Sequence, residues 1–317
     1  MTLALKEKFA DPTRGVYLIG TCPPKAGTEP NTVNEIADKL LARLTLLEFD
    51  GMIVYDIQDE SSRIDAPRPF PFMATLDPRE YSALLRKKSS RPIITYKSVS
   101  QRNASDFSKW LSEAWDTYGV RDMVMVGSPS ADSDIKLSLN DAYKVVAQDE
   151  RPFNLGGVTI AERHLKKGEE HQRLLQKSAQ GCSFFVSQAV YNAQATIDML
   201  TRYAHECQAH NIQPARIILT FTPCGSAKTM EFMDWLGISI PEGTRLRILN
   251  AEDSLAESIR VCRGNLEQIM DAVLDLGLPL GLNIESLTNR KDEIDASIRL
   301  FKLLKASLDL RLAEQQL

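Results

Sequence analysis

The residues able to do chemistry in this chain are spread along it in small groups, each at or just past the C-terminal end of a short apolar run. In chain order they are Gly20-Thr21-Cys22, Tyr55-Asp56, Thr95-Tyr96-Lys97, Gly127-Ser128, Thr159 to His164, Gln188, Thr222 and Glu285. Most are neutral hydrogen-bonding groups. There is no carboxylate cluster for Mg²⁺ and no Ser-His-Asp set. The five cysteines form no CxxC and the four histidines no HExxH, so no metal site is expected. Such a set suits a polar, planar, heteroatom-rich ligand better than a metal ion.

Each position has a plainer reading beside the chemical one. The turn Gly127-Ser128-Pro129-Ser130 can offer backbone N–H groups to a phosphate, or serve as a tight turn that caps the next helix. A desolvated Lys97 could form a Schiff base with a carbonyl substrate; pairing with a carboxylate is the commoner role. The charged run Ala161 to His164 reads as a loop beside the ligand or as ordinary surface, and 166–171 as the solvated start of a helix. Cys22 has no base next to it in sequence. A buried amide at Gln188 must find partners, in a ligand's donor–acceptor edge or in the backbone. Trp110, Trp115 and Trp235 sit on helical stripes and read as packing residues.

The elements that must position these groups are legible as an alternation. Eight near-continuous apolar runs, at 16–20, 52–56, 92–96, 122–127, 156–160, 183–187, 216–221 and 278–284, have the character of parallel strands buried on both faces. Between and after them lie helix-like segments at 31–48, 76–87, 104–118, 137–148, 166–180, 192–209, 226–236, 252–276 and 293–312. This predicts an α/β fold of one (β/α)8 TIM barrel filling residues 1–317, with an extra C-terminal helix that covers the barrel's side or meets another subunit. A Rossmann sheet would want G-x-G-x-x-G after its first strand, where this chain has Gly20-Thr-Cys-Pro-Pro-Lys25. In such a barrel, reactive groups gather at the C-terminal strand ends.

Composition agrees. The chain has 317 residues, 43% of them hydrophobic and 25% charged, with a net charge of −4. No global field recruits nucleic acid or an anionic membrane, and no apolar run approaches the roughly 20 residues of a membrane helix. The N-terminal stretch lacks a signal-peptide core, and the odd, scattered cysteines read as reduced thiols, so a cytoplasmic location is expected.

Six segments, taken in order, resemble the methylenetetrahydrofolate reductase family: TCPPK (21–25), VMVGSP (124–129), GGVTIAERH (156–164), FFVSQAVYN (184–192), FTPCGSAKTMEFMDWLGISIP (221–241) and IESLTNRKDE (284–293). The resemblance spans about residues 16–293. It implies a (β/α)8 barrel, usually homo-oligomeric, that reduces 5,10-methylenetetrahydrofolate to 5-methyltetrahydrofolate with FAD relaying a hydride from NAD(P)H. The segments VMVGSP, SQAVYN and LDLGLPLGLNIES are more similar to smaller bacterial members that pass hydride directly. The strand ends carry no isolated basic pair placed for a 2′-phosphate, so NADH is the favoured donor.

By the same resemblance, Gln188 contacts folate and nicotinamide; Tyr55 and Thr222, at strand ends of the same mouth, are expected as further substrate-binding residues. Lys177, Glu170, His164 and Glu162 correspond to cofactor-binding positions, as do Thr95, Gly127 and Ser128. Pro23-Pro24 and Asn289-Arg290 match the family's motifs after strands one and eight. There are departures. Gly20 replaces the family's general acid, so Glu285 or Asp56 is expected to stand in. Val126-Gly127-Ser128 replaces its flavin-contacting Arg-Gly-Asp, Thr95 falls where it has a histidine, and Ser138 near where it has a tyrosine, which weakens the case for FAD. The alternatives are a paralogue acting on another pterin or one-carbon substrate, and a non-catalytic subunit of a methyl-transfer system.

Overall fold

The computed structural model describes residues 4–61, 64–128 and 134–317. Eight parallel strands run β1 (Tyr17–Thr21), β2 (Gly51–Val54), β3 (Ile93–Ser98), β4 (Asp122–Val126), β5 (Asn154–Thr159), β6 (Cys182–Ala189), β7 (Arg216–Phe221) and β8 (Leu280–Ile284). They close into a barrel in chain order, β8 pairing back on β1 through Tyr17↔Leu282 and Ile19↔Ile284.

Side-chain alternation along each strand makes two cores. One parity, including Leu18, Ile53, Ile94, Val124, Val186 and Ile218, fills the barrel interior. The other, including Ile19, Met52, Ile93, Met123, Phe185 and Leu219, packs outward under the helices. Apolar residues on both parities are why the runs read as continuous rather than alternating.

The helices are α1 (Leu5–Ala10), α2 (Pro30–Leu44), α3 (Pro78–Ser89), α4 (Ala104–Asp116), α5 (Leu139–Ala147), α6 (Ala161–Lys167), α7 (Glu170–Ala179), α8 (Ala193–Ala209), α9 (Ala227–Trp235), α10 (Glu242–Leu249), α11 (Ser254–Val273) and α12 (Lys291–Glu314). Side-chain oxygens of Asp77, Asn103, Ser138, Asn192, Ser226 and Asp253 accept from backbone N–H groups in the first turns of α3, α4, α5, α8, α9 and α11, which fixes where those helices begin. The C-terminal α12 buries Leu300, Phe301, Leu304 and Leu308 and packs on α11 and β8, so it covers the barrel's side.

The N-terminal end of the barrel is shut. Leu5 and Phe9 of α1 enter the interior core, with the Phe9 and Phe184 rings 4.4 Å apart. The buried guanidinium of Arg216 donates to the carbonyls of Phe9 at 3.1 Å, Arg14 at 2.9 Å, Leu280 at 2.6 Å and also Asp11. Lys8 pairs with Asp50 at 2.5 Å, and Asp50 also accepts from the Tyr17 N–H.

Three short helices fall outside the sequence expectation: α1, α6 and α10. The run 161–164, expected as a loop, is the first turn of α6. The segment 166–171, expected to be solvated, ends with Glu170 and His171 buried. Neither region shows a long helical period, because α6 and α7 are short and break at Gly168, whose φ is +66°. No helix among the described residues is long and apolar enough to cross a membrane.

Candidate functional site at the barrel mouth

The mouth lies at the C-terminal strand ends, opposite α1. Continuing the interior parity outward brings Gly20, Tyr55, Tyr96, Thr220, Asn283 and Glu285 to its floor. The Tyr55 and Tyr96 rings meet edge to face, centroids 4.9 Å apart. Asn283 Nδ2 donates to the Tyr55 hydroxyl at 2.9 Å and to Thr220 Oγ1 at 3.2 Å. The Tyr55 hydroxyl and the Glu285 carboxylate both border the space over Gly20. Asn283 Oδ1 is buried with no partner among the described residues.

Burial raises the Glu285 pKa above the ordinary carboxylate value, against the opposing effect of the neighbouring Tyr55 hydroxyl and Asn283 amide. Burial and the facing Glu285 charge push the Tyr55 phenol well above its usual value, so it stays a hydrogen-bond donor. Gly20 makes this arrangement possible. A Cβ there would stand 2.8 Å from the Tyr55 hydroxyl and 3.0 Å from Glu285 Oε2, inside normal contact.

Two excursions from the barrel form the rim. The β7–α11 connection carries α9 and α10. Gln188 Nε2 donates to the Leu236 carbonyl at 2.8 Å, and Glu162 Oε1 accepts from the Ser239 N–H at 3.1 Å, so both side chains hold this excursion over β5 and β6. The pairing of β6 with β7 shifts register between Val186 and Ala189, where Gln188 stands. From the other side the β2–α3 connection forms a strap. It is fastened near β1 by Ala26 N–H to the Ala74 carbonyl at 2.8 Å and Leu76 N–H to the Pro24 carbonyl at 2.9 Å. On the α9 side, Trp235 Nε1 donates to the Ala66 carbonyl at 3.1 Å, and Phe70 meets Phe232 edge to face at 5.3 Å.

Of the residues singled out in the sequence, Glu285 and Tyr55 meet at the floor, and Gln188 and Glu162 reach the rim. The others go elsewhere. Asp56 and Lys97 lie on the outward parity and pair with each other at 2.9 Å. Asp56 also accepts from Ser98 N–H and Gln58, so every described contact ties it to protein. Lys97 is therefore the paired cation of the plainer reading. Thr95 faces outward too and donates to Ser82 Oγ on α3 at 2.9 Å.

Thr222 is fully buried, and its carbonyl accepts from the Tyr191 hydroxyl. Glu170 accepts from the Ile160 N–H at 3.0 Å, and Lys177 donates to the Val158 carbonyl at 2.6 Å, which braces the end of β5. His164 packs edge-on against His171 between α6 and α7, and burial beside that ring lowers its pKa. Gly127 and Ser128 are half-buried at the end of β4; Pro129 and Ser130 of the same turn lie outside the described residues. Among the described residues no group of three His, Cys, Asp or Glu side chains could hold a metal ion.

Sequence reasoning missed Thr220 and Asn283, and of Thr95-Tyr96-Lys97 it gave the ligand role to Thr95 and not to Tyr96. The available signal was strand parity: in Thr95-Tyr96-Lys97 the middle residue faces inward.

Fold and mouth together define a (β/α)8-barrel protein with a polar, hydrogen-bonded cluster at the C-terminal end of its strands. The chain belongs to the family of an uncharacterized protein from Clostridium thermocellum that binds two copies of 5-methyl-5,6,7,8-tetrahydrofolic acid. The two are 36% identical over 96% of this chain and 99% of that one, with a TM-score of 0.82. More distant barrels include an EDTA monooxygenase from Chelativorans sp. BNC1 (10% identity, 95% of this chain and 98% of that one, TM-score 0.49) and a dihydropteroate synthase from Xanthomonas albilineans (11%, 93% of each chain, TM-score 0.44). At such values neither bears on what this chain does. No protein-family model and no curated protein matches the chain.

Proposed function

We propose that the mouth binds a reduced folate and that the chain reduces 5,10-methylenetetrahydrofolate to 5-methyltetrahydrofolate with NAD(P)H. The observation that carries this reading is the Glu285 carboxylate, set in the space Gly20 leaves open, with its pKa raised by burial. The family relationship to a 5-methyltetrahydrofolate binder supports the ligand class.

In the reaction, Glu285 delivers its proton to N10 as the N10–CH₂ bond of the five-membered ring breaks. The resulting N5 iminium carbon takes a hydride from the nicotinamide, giving the N5-methyl group and NAD(P)⁺. Tyr55 and Asn283 orient the carboxyl group, and Tyr96 offers an aromatic surface to the planar ligand. NADH is the favoured donor, since none of the floor residues is basic.

Of the positions that the resemblance assigned to flavin, Lys177, Glu162 and Thr95 are engaged with the protein's own groups, which takes the lysine away from a phosphate. Glu170 Oε2 and His164 Nδ1 are buried without a hydrogen-bond partner, but they lie on and beside α6 and α7 and not among the residues of the floor. No step is therefore routed through FAD.

The test is NADH oxidation by flavin-stripped protein with methylenetetrahydrofolate. Folate-dependent oxidation supports the reading; tight 5-methyltetrahydrofolate binding without any oxidation would replace it with a second reading, a folate-binding protein, which the relative's binding behaviour favours.

A further inference from the structure

We propose that Arg68, on the strap, recognises the anionic end of the ligand by taking the carboxylates of a folate's glutamate tail. This rests on the reduced-folate reading of the mouth. The Arg68 guanidinium carbon lies 5.2 Å from the ring centroids of both Phe232 and Trp235 and 5.7 Å from that of Phe72. Aromatic faces hold a cation in place without neutralising it.

Among the described residues Arg68 has no ion pair, and its Nε is buried with no hydrogen-bond partner. The buried arginines Arg79 and Arg216 are satisfied, the first by Asp77 and Glu113 and the second by four carbonyls. Asp59, a neighbouring carboxylate on the same strap, is occupied by the N–H and hydroxyl of Ser61.

Position matters as much as charge. The strap runs between the end of β1 and α9, and Arg68 and Glu285 both act electrostatically on Cys22 at the end of β1. A ligand whose ring system lies against Glu285 has this strap within reach of its far end. In a folate that end is a pair of carboxylates, and guanidinium–carboxylate contacts are among the stronger charge-assisted hydrogen bonds.

The test compares 5-methyltetrahydrofolate with its glutamate diamide, which keeps shape and loses charge, on wild-type protein, Arg68→Met and Arg68→Lys. The wild type is expected to bind the free acid about 10- to 100-fold more tightly than the diamide. Arg68→Met should bind both alike, near the wild-type affinity for the diamide, and Arg68→Lys should restore part of the preference.

Equal binding of both ligands by the wild type overturns the assignment of Arg68 while leaving folate binding intact. Equal weakening of both by Arg68→Met overturns it too, by showing that the residue only supports the strap. A rise in the KM for NADH with the acid-over-diamide preference kept would place a dinucleotide phosphate on Arg68 instead. Failure of the wild type to bind either folate overturns the reduced-folate reading itself.

Discussion

Glu285 occupies space that exists only because residue 20 is glycine: a Cβ at that position would lie 3.0 Å from Glu285 Oε2. Gly20→Ala therefore forces Tyr55 and Glu285 to move while the outward face of β1 stays packed. Overpacking of this kind costs about 1–3 kcal/mol. If the strain falls on the site, folate affinity drops about 10- to 100-fold. Calorimetric titration beside a thermal melt checks this; an unchanged affinity would remove Gly20 from the argument.

The raised pKa of Glu285 gives the reductase reading a definite pH profile. The acid form persists above the ordinary carboxylate range, so kcat/KM falls as pH rises through the elevated value. Glu285→Gln, which cannot supply the proton, should lose about 10²–10⁴-fold at low pH and flatten that limb, with 5-methyltetrahydrofolate still bound. Tyr55→Phe removes the neighbouring hydroxyl that favours the carboxylate, so the limb should move to higher pH. Stopped-flow rates across pH for the three proteins decide it.

Much of this was legible in the residues. Eight strands and the major helices follow from apolar runs and their punctuation, and Gly20 and Glu285 stood out by being a glycine and a carboxylate at strand ends. The facing of side chains was not legible where both faces of a strand are apolar, so Thr95 was singled out in place of Tyr96. Asp56 looked as available as Glu285, because nothing in the sequence reveals that Lys97, far along the chain, closes on it. The rim was hidden for another reason. Arg68, Trp235 and Leu236 lie on connections whose course is set by contacts across the mouth, not by local periodicity.

The Asp56–Lys97 pair, with both side chains about nine-tenths buried, belongs to stability and not to the chemistry. Lys97→Met strands a buried carboxylate, and the expected loss is about 3–5 kcal/mol in urea unfolding. The double variant Asp56→Asn/Lys97→Met should recover part of it. Affinity for folate in the surviving folded fraction should be unchanged, which separates this pair from Glu285.

Asp122, at the start of β4, predicts a second pH effect, this one on folding. Burial raises its pKa from the ordinary 3.8 to about 6, with Asn154 donating to it at 2.7 Å. The folded state therefore holds the proton more tightly than the unfolded state, and Asp122's contribution to stability falls as pH rises from about 4 to about 6. Its ionisation costs roughly 3 kcal/mol at neutral pH. Asp122→Asn should be the more stable protein at pH 7 and lose that advantage near pH 4, as read from denaturant midpoints.

The plug formed by α1 and Arg216 has a kinetic consequence. With the interior packed and its lower end plugged, whatever reaches the residues of the mouth arrives and leaves from the C-terminal side alone. Under the reductase reading, a folate seated against Glu285 and a nicotinamide laid over it share that single approach, so the order in which they come and go is set by the closed end of the barrel as much as by any residue at the open one.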